Sequence, residues 1–93
     1  MNNNLTRALV TGGSGGIGAA ICRALSAQGC HVYVHAHRGV AAAESIVAGI
    51  AAAGGQASSL QFDLTDAAAA RAAIEKVLED GPIQVLYRHG GTL

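Results

Sequence analysis

The sequence predicts an α/β fold, the N-terminal half of a doubly wound parallel sheet with strand order 3-2-1-4 and three helices. The first observation is that short apolar runs with strand periodicity alternate with Ala-rich runs of helical periodicity along the 93 residues. The second is that each strand–helix–strand connection is short, which requires parallel strands and right-handed crossovers. We therefore expect residues 1–93 to form one small domain.

Strands and helices are expected to alternate from the first element to the last. Their predicted ranges are 7–10, 16–28, 31–37, 41–53, 57–62, a third helix that ends at 79, and 83–87. Gly29 ends the first helix and Gly54-Gly55 the second, because glycine readily adopts the left-handed conformation found after helices. Thr65 or Asp66 is expected to cap the third helix.

Residue periodicity predicts which faces are buried. On the second strand, one face carries Val32, Val34 and Ala36 and the other carries His31, Tyr33, His35 and His37. In the first helix the apolar residues Ile17, Ile21 and Leu25 follow a period near four. In the third helix Ile74, Val77 and Leu78 are expected to face inward.

Charge and hydropathy argue against two kinds of partner. Six basic and six acidic residues cancel, and no Lys or Arg cluster suggests a nucleic acid. No apolar run approaches the roughly 20 residues of a membrane span, and the polar start lacks the features of a signal peptide. The first acidic residue is Glu44, so the chain before it carries only the positive charges of Arg7, Arg23 and Arg38. This asymmetry favours a polyanionic ligand.

The cysteines and strand histidines are interpreted as packing residues. Cys22 and Cys30 have no metal-ligand spacing, and we expect reduced thiols in a cytoplasmic protein, with a disulfide as the alternative. His31, His35 and His37 share one strand face, as metal ligands or as packed or solvent-edge histidines. The second interpretation is favoured because no fourth ligand or helical pair accompanies them.

The stretch from Thr11 to Gly18 carries the strongest functional signal. Five glycines within residues 12–18 directly follow a predicted strand and lead into a helix. Glycines let the backbone turn tightly and approach an anion, and the free N–H groups of the helix start point at that anion. The pattern predicts a dinucleotide pyrophosphate site, with a flexible glycine-rich loop as the alternative.

Thr11, Gly12, Gly16, Ile17 and Gly18 form the pattern Thr-Gly-x-x-x-Gly-Ile-Gly, which resembles the short-chain dehydrogenase/reductase family. The resemblance covers nearly the whole chain and implies a Rossmann fold, a nicotinamide cofactor and oxidoreductase activity. The overall pattern of the sequence is most similar to the 3-oxoacyl-[acyl-carrier-protein] reductase branch of the family, which implies a link to fatty acid biosynthesis.

Downstream residues extend the resemblance. Asp63 and Leu64 occupy the place of the family's Asp-Leu or Asp-Val pair, which implies that Asp63 accepts a hydrogen bond from the adenine amino group and that Leu64 packs on the ring. The alternative for Asp63 is a charge that complements the third helix, and both roles are compatible. Residues 82–86 resemble the start of the family's fourth strand.

The end of the second predicted strand indicates which nicotinamide cofactor to expect. An NAD site usually places Asp or Glu there, and no acid precedes Glu44. Arg38 is instead a planar cation suited to a 2′-phosphate, and the resemblance implies that Ser14 donates to the same group. NADP(H) is therefore predicted, with a solvated loop charge as the alternative for Arg38. The predicted cofactor-binding residues are Gly12, Ser14, Gly15, Gly16, Ile17, Gly18, Arg38, Asp63 and Leu64.

The resemblance also implies catalytic residues that this sequence lacks. The family uses a Tyr-x-x-x-Lys pair with an upstream Ser and an Asn. Lys76 is the single lysine, and Ala72 stands four residues before it. Residues 88–91 read Arg-His-Gly-Gly where the family has Asn-Asn-Ala-Gly. We therefore expect a truncated NAD(P)-binding domain without catalytic residues.

The sequence leaves three functions open. The chain is the NADP(H)-binding part of a short-chain reductase, a stand-alone nucleotide-binding module without turnover, or an interaction domain. In the third case the exposed edge of the fourth strand would pair with a second copy or another chain.

Overall fold

The computed structural model describes residues 6–12 and 15–88. Its elements are β1 (Arg7–Thr11), α1 (Gly16–Ala27), β2 (His31–Ala36), α2 (Val40–Ala52), β3 (Gln56–Gln61), α3 (Ala67–Leu78) and β4 (Val85–Arg88). Every predicted element is present, with ends that match the predicted ends or differ from them by one or two residues. The largest difference is at β4, which begins at Val85 rather than at residue 83.

The four strands form one parallel sheet in the order β3-β2-β1-β4, as the sequence predicted. Ala8 of β1 pairs with Val32 of β2 on one side and with Val85 of β4 on the other. The crossovers from β1 to β2 to β3 run in one direction along the sheet, and the crossover from β3 to β4 returns past β1. Because all are right-handed, α1 and α2 cover one face of the sheet and α3 covers the other.

The larger core lies between the sheet and the first two helices. Val10, Val32 and Val34 are fully buried there against Cys22 of α1 and Ile46 of α2. Burial of each such aliphatic side chain contributes about 1.5–3 kcal/mol. Cys22 and Cys30 both lie in this core as free thiols, as predicted.

A smaller core lies under α3. Leu9, Tyr33 and Val77 are buried together, with Ile74 and Ile83 packed against them. The predicted alternation of β2 is therefore confirmed, since Val32 and Val34 face one helix layer and Tyr33 faces the other.

Leu78, which was predicted to face inward, is exposed, and so is Ile17 of the apolar period in α1. Ile17 is 63% exposed and Leu78 is 47% exposed. Ile17 belongs to the first turn of α1, where Gly18 and Ala19 provide the buried surface. Leu78 is the last residue of α3, and its neighbour Val77 points at the sheet in its place. The prediction that Leu78 faces inward is wrong.

The helix ends follow the sequence signals. Gly29 and Gly54 have φ of 94° and 92°, the left-handed conformation in which glycine is favoured after a helix. Asp66 is the N-cap of α3, and its side chain accepts a hydrogen bond from the Ala69 amide at 3.1 Å. Of the two predicted caps, Asp66 rather than Thr65 therefore has this role. No helix in the described part of the chain is long and apolar enough to cross a membrane.

Candidate functional site

The predicted cofactor-binding residues that the structure describes meet at the carboxyl-terminal edge of the sheet. Gly12 directly follows β1, Arg38 comes shortly after β2, and Asp63 and Leu64 come shortly after β3. Parallel strands all end at the same edge, so the fold brings these residues together from three separate loops. Gly13 and the predicted ligand Ser14 lie outside the described residues.

The glycine turn leads directly into α1. Gly12 has φ of 66°, a conformation that disfavours side chains, and its carbonyl accepts a hydrogen bond from the Gly15 amide at 3.4 Å. Gly15 is the N-cap of α1, and no described side chain caps this helix. Its first turn contains no acidic residue. The start of α1 therefore keeps backbone donors and the positive end of the helix dipole available for an anion.

The glycines of the turn differ in what surrounds them. A Cβ built on Gly16 would meet no described protein atom within 4 Å, and one on Gly15 would lie 3.9 Å from the Gly12 carbonyl oxygen. Gly18 is buried. Packing within the described residues thus gives no reason for a glycine at position 16, and the space beside it suits the close approach of a phosphate to the backbone.

Asp63 is held in place by its own loop. Its Oδ1 accepts hydrogen bonds from the Thr65 amide at 2.9 Å and from the Thr65 hydroxyl at 2.7 Å. These bonds, followed by electrostatic interactions with His37 and Arg38, lower the pKa of the Asp63 carboxyl group. Its Oδ2 lies 3.8 Å from Nε2 of His37. Asp63 is therefore an ionised acceptor near Arg38, whereas Asp66 caps the following helix.

Two apolar side chains are exposed on loops and turns of this edge. Ile17 in the first turn of α1 is 63% exposed, and Leu64 after β3 is 52% exposed. Exposed apolar side chains beside polar groups provide a surface on which a flat ring can pack. The exposure of Leu64 is compatible with the adenine contact that the resemblance implies.

The sequence did not reveal how His35 links these loops. His35 is only 3% exposed, and its Nδ1 lies 3.0 Å from the Gly12 amide nitrogen. Its Nε2 lies 2.8 Å from the carbonyl oxygen of Phe62, the residue before Asp63. The prediction of a packed histidine is confirmed, and the only available signal for its partners was its place near the end of a strand.

The other strand histidines have separate surroundings. Nε2 of His31 lies 3.1 Å from Oγ of Ser58, and its ring stacks on Tyr33. His37 faces Asp63, as described above. Within residues 6–12 and 15–88, no three His, Cys, Asp or Glu side chains are grouped so that they could hold a metal ion.

The part of the site next to β4 lies partly outside the described residues. The Thr11 hydroxyl donates to the Tyr87 carbonyl at 3.3 Å, which joins the ends of β1 and β4. Residues 89–91, where the sequence departs from the family's Asn-Asn-Ala-Gly, lie outside the described residues.

The comparisons with known proteins agree with this geometry. The sequence model of the family described as short chain dehydrogenase matches residues 6–92. The chain belongs to this family. The strand order and the three helices are those of its Rossmann fold.

Three members of the short-chain dehydrogenase family show the extent of the similarity. An uncharacterized oxidoreductase of Methylorubrum extorquens is 41% identical over 90% of this chain and 34% of its own length. A 3-oxoacyl-[acyl-carrier-protein] reductase of Synechocystis is 39% identical over 90% of this chain and 34% of its own length. A Burkholderia cenocepacia short chain dehydrogenase, solved in complex with NADP, is 44% identical with a TM-score of 0.80, over 90% of this chain and 36% of its own. The chain thus spans about a third of the length of these relatives.

Proposed function

We propose that this chain is an NADP(H)-binding part of a short-chain dehydrogenase/reductase. The observation that carries the proposal is the convergence at one sheet edge of the glycine turn, an α1 start without a side-chain cap, Arg38 and the ionised Asp63. The similar Burkholderia protein was solved with NADP. When bound, the cofactor supplies or accepts a hydride.

Each element of the site would hold one part of the dinucleotide. The backbone amides of the turn that begins at Gly12, including those of Gly15, Gly16 and Gly18, would hold the pyrophosphate, whereas the Gly12 amide itself donates to His35. Asp63 would accept from the adenine amino group, and Leu64 would cover the ring. Ile17 and Ser14, which we predict as further contacts, complete the proposed binding surface.

Arg38 is the proposed determinant of the preference for NADP(H) over NAD(H). The described sheet edge has no acid directly after β2, where an NAD site would place one for the ribose hydroxyls. A guanidinium there would bind the 2′-phosphate of NADP(H) through charge-assisted hydrogen bonds.

The test is a fluorescence titration of the chain with NADPH and NADH. We expect tighter binding of NADPH, and we expect Arg38→Gln to weaken NADPH binding roughly ten- to a hundredfold while leaving NADH binding nearly unchanged. Arg23→Gln is the matched control, because it removes the same charge from an exposed position within α1. Equal affinity of the unchanged chain for NADPH and NADH would refute the role of Arg38.

We further propose that the chain does not catalyse by itself. Its 93 residues contain no Tyr-x-x-x-Lys pair. The identity with the Synechocystis enzyme favours carbonyl or 3-oxoacyl thioester reduction as the reaction of a protein that contains such a part. NADPH oxidation by the purified chain in the presence of an acetoacetyl thioester would contradict this part of the proposal. Binding without turnover would support it.

The lateral edge of the sheet, which is formed by β4, supports a second candidate function. β4 pairs only with β1 among the described strands, and its Leu86 is 60% exposed. We propose that a second copy of the chain pairs with this edge. Analytical ultracentrifugation would then show a dimer that Leu86→Lys dissociates. A monomer over the same range of concentrations would exclude the pairing.

A further inference from the structure

We propose that His35 is the positioning residue that holds the glycine turn and the loop after β3 in a fixed relation for dinucleotide binding, an inference that rests on the proposed function. Its imidazole bonds to the first residue after each neighbouring strand, Gly12 after β1 and Phe62 after β3. β2 lies between β1 and β3 in the sheet. The side chain of His35 therefore joins the segments that follow these two strands, just beyond the point where the strands end.

The two contacts determine the tautomer of the ring. The Gly12 amide can only donate, so Nδ1 must carry the lone pair that accepts at 3.0 Å. The Phe62 carbonyl can only accept, so Nε2 must carry the proton that is donated at 2.8 Å. His35 therefore has to be the neutral Nε2–H form, and neither the other neutral tautomer nor the imidazolium satisfies both partners.

Both partners belong to the proposed binding surface. Gly12 begins the turn that leads to the amides of α1, and it has the left-handed φ of 66°. Phe62 directly precedes Asp63 and Leu64, and its ring lies over His35 with 4.2 Å between centroids. Movement of either loop relative to the other would change the separation between the pyrophosphate amides and the adenine contacts, which a rigid dinucleotide site has to keep constant.

The chain contains a matched control on the same strand. His31 lies on the same face of β2, bonds to Ser58 and stacks on Tyr33, and neither partner belongs to the glycine turn or to the loop after β3. Loss of His31 should affect packing at the opposite end of the sheet and leave the dinucleotide affinity unchanged. Comparison of the two histidines thus separates positioning of the site from general support of the fold.

Three substitutions of His35 separate the two hydrogen bonds. His35→Phe keeps most of the ring volume and removes both bonds. His35→Asn retains an acceptor near the position of Nδ1 for Gly12, and His35→Gln retains a donor near the position of Nε2 for Phe62. We expect His35→Phe to raise the NADPH dissociation constant roughly tenfold or more, with Asn and Gln each restoring part of the affinity. His31→Asn should change it less than twofold.

Nuclear magnetic resonance of the unchanged chain gives an independent readout. Two-bond ¹⁵N–¹H spectra of the imidazole should show His35 as the Nε2–H tautomer, and the Gly12 amide should be protected from hydrogen exchange. This protection should fall in His35→Phe and His35→Gln and persist in His35→Asn. These measurements do not depend on ligand binding and remain informative if His35→Phe does not fold.

The outcomes are distinguishable. Unchanged NADPH affinity in a folded His35→Phe, an Nδ1–H tautomer, or unaltered Gly12 exchange in a folded His35→Phe would each overturn the role of His35 while leaving the proposed function intact. Failure of the unchanged chain to bind NADPH would overturn the proposed function and, with it, the role assigned to His35. Reduced affinity only in the His35 variants, together with the Nε2–H tautomer, would support both.

Discussion

The side chain of Ser26, near the end of α1, occupies the space that a side chain on Gly55, just before β3, would need. A Cβ on Gly55 would overlap Oγ of Ser26, and it would lie 2.8 Å from Cγ2 of Ile50 in α2. Ile50 is itself buried in the larger core, so it has little freedom to move away. The absence of a side chain at position 55 therefore allows the two helices and β3 to approach one another.

Gly55→Ala should destabilise the fold by about 1–3 kcal/mol, because overpacking forces neighbouring side chains or backbone to shift. Urea denaturation followed by circular dichroism would measure the loss. Gly49→Ala is the control, since a Cβ at this helical position meets no described atom within 4 Å. It should stabilise α2 by up to about 1 kcal/mol. Similar losses in both variants would contradict the packing argument.

Asp66→Ala should lower the free energy of unfolding by about 1 kcal/mol, within the range for lost N-caps. The side chain of Asp66 accepts from the Ala69 amide at 3.1 Å, and the alanine variant leaves that amide without this partner. Asp66→Ser should keep most of the stability because serine also caps helices well. If Ala and Ser variants unfold at the same urea concentration, Asp66 does not act as a cap.

His31 should make the stability of the fold depend on pH. Burial, followed by the charge of Arg7, lowers the pKa of His31 from 6.5, and Asp80 opposes this shift. The unfolded chain therefore binds the proton more readily than the folded chain does. The contribution of neutral His31 to the free energy of unfolding is therefore fully present above the unfolded pKa near 6.5. It is lost as the pH falls from there through the lower folded pKa.

The pH dependence is tested by comparing urea denaturation of the unchanged chain and of His31→Asn at pH 7.5 and 5.5. The unchanged chain should lose more stability between these values than the variant, which has no imidazole at position 31 to protonate. Parallel losses in the two proteins would show that other groups cause the dependence.

Cys22 should resist thiol reagents as long as the chain is folded. Its side chain is fully buried, and this burial raises its pKa to about 11, so the reactive thiolate is scarce at pH 8. In Cys30→Ser, which leaves Cys22 as the one thiol, Ellman's reagent should react slowly under native conditions and rapidly in urea. Rapid reaction of the native variant would contradict the buried position of Cys22.

Most of the topology could be predicted from the sequence because its signals are local. Apolar periodicity distinguishes the strands from the helices, and Gly29 and Gly54 end helices through their own backbone preferences. Short connections then restrict the sheet to parallel strands in the observed order. The glycine turn after β1 was predictable for the same reason, since a strand, a turn and a helix start are contiguous in the chain.

Only the tertiary structure decided how the site is held together. Gly12 and Phe62 lie 23 and 27 residues away from His35, and their contacts depend on which backbone groups remain unpaired where the strands end. The exposure of Leu78 at the end of α3 likewise depends on how that helix packs on the sheet, which periodicity does not encode. Local sequence preferences therefore determined the elements and their order, whereas strand register and helix placement selected the side chains that meet at the sheet edge.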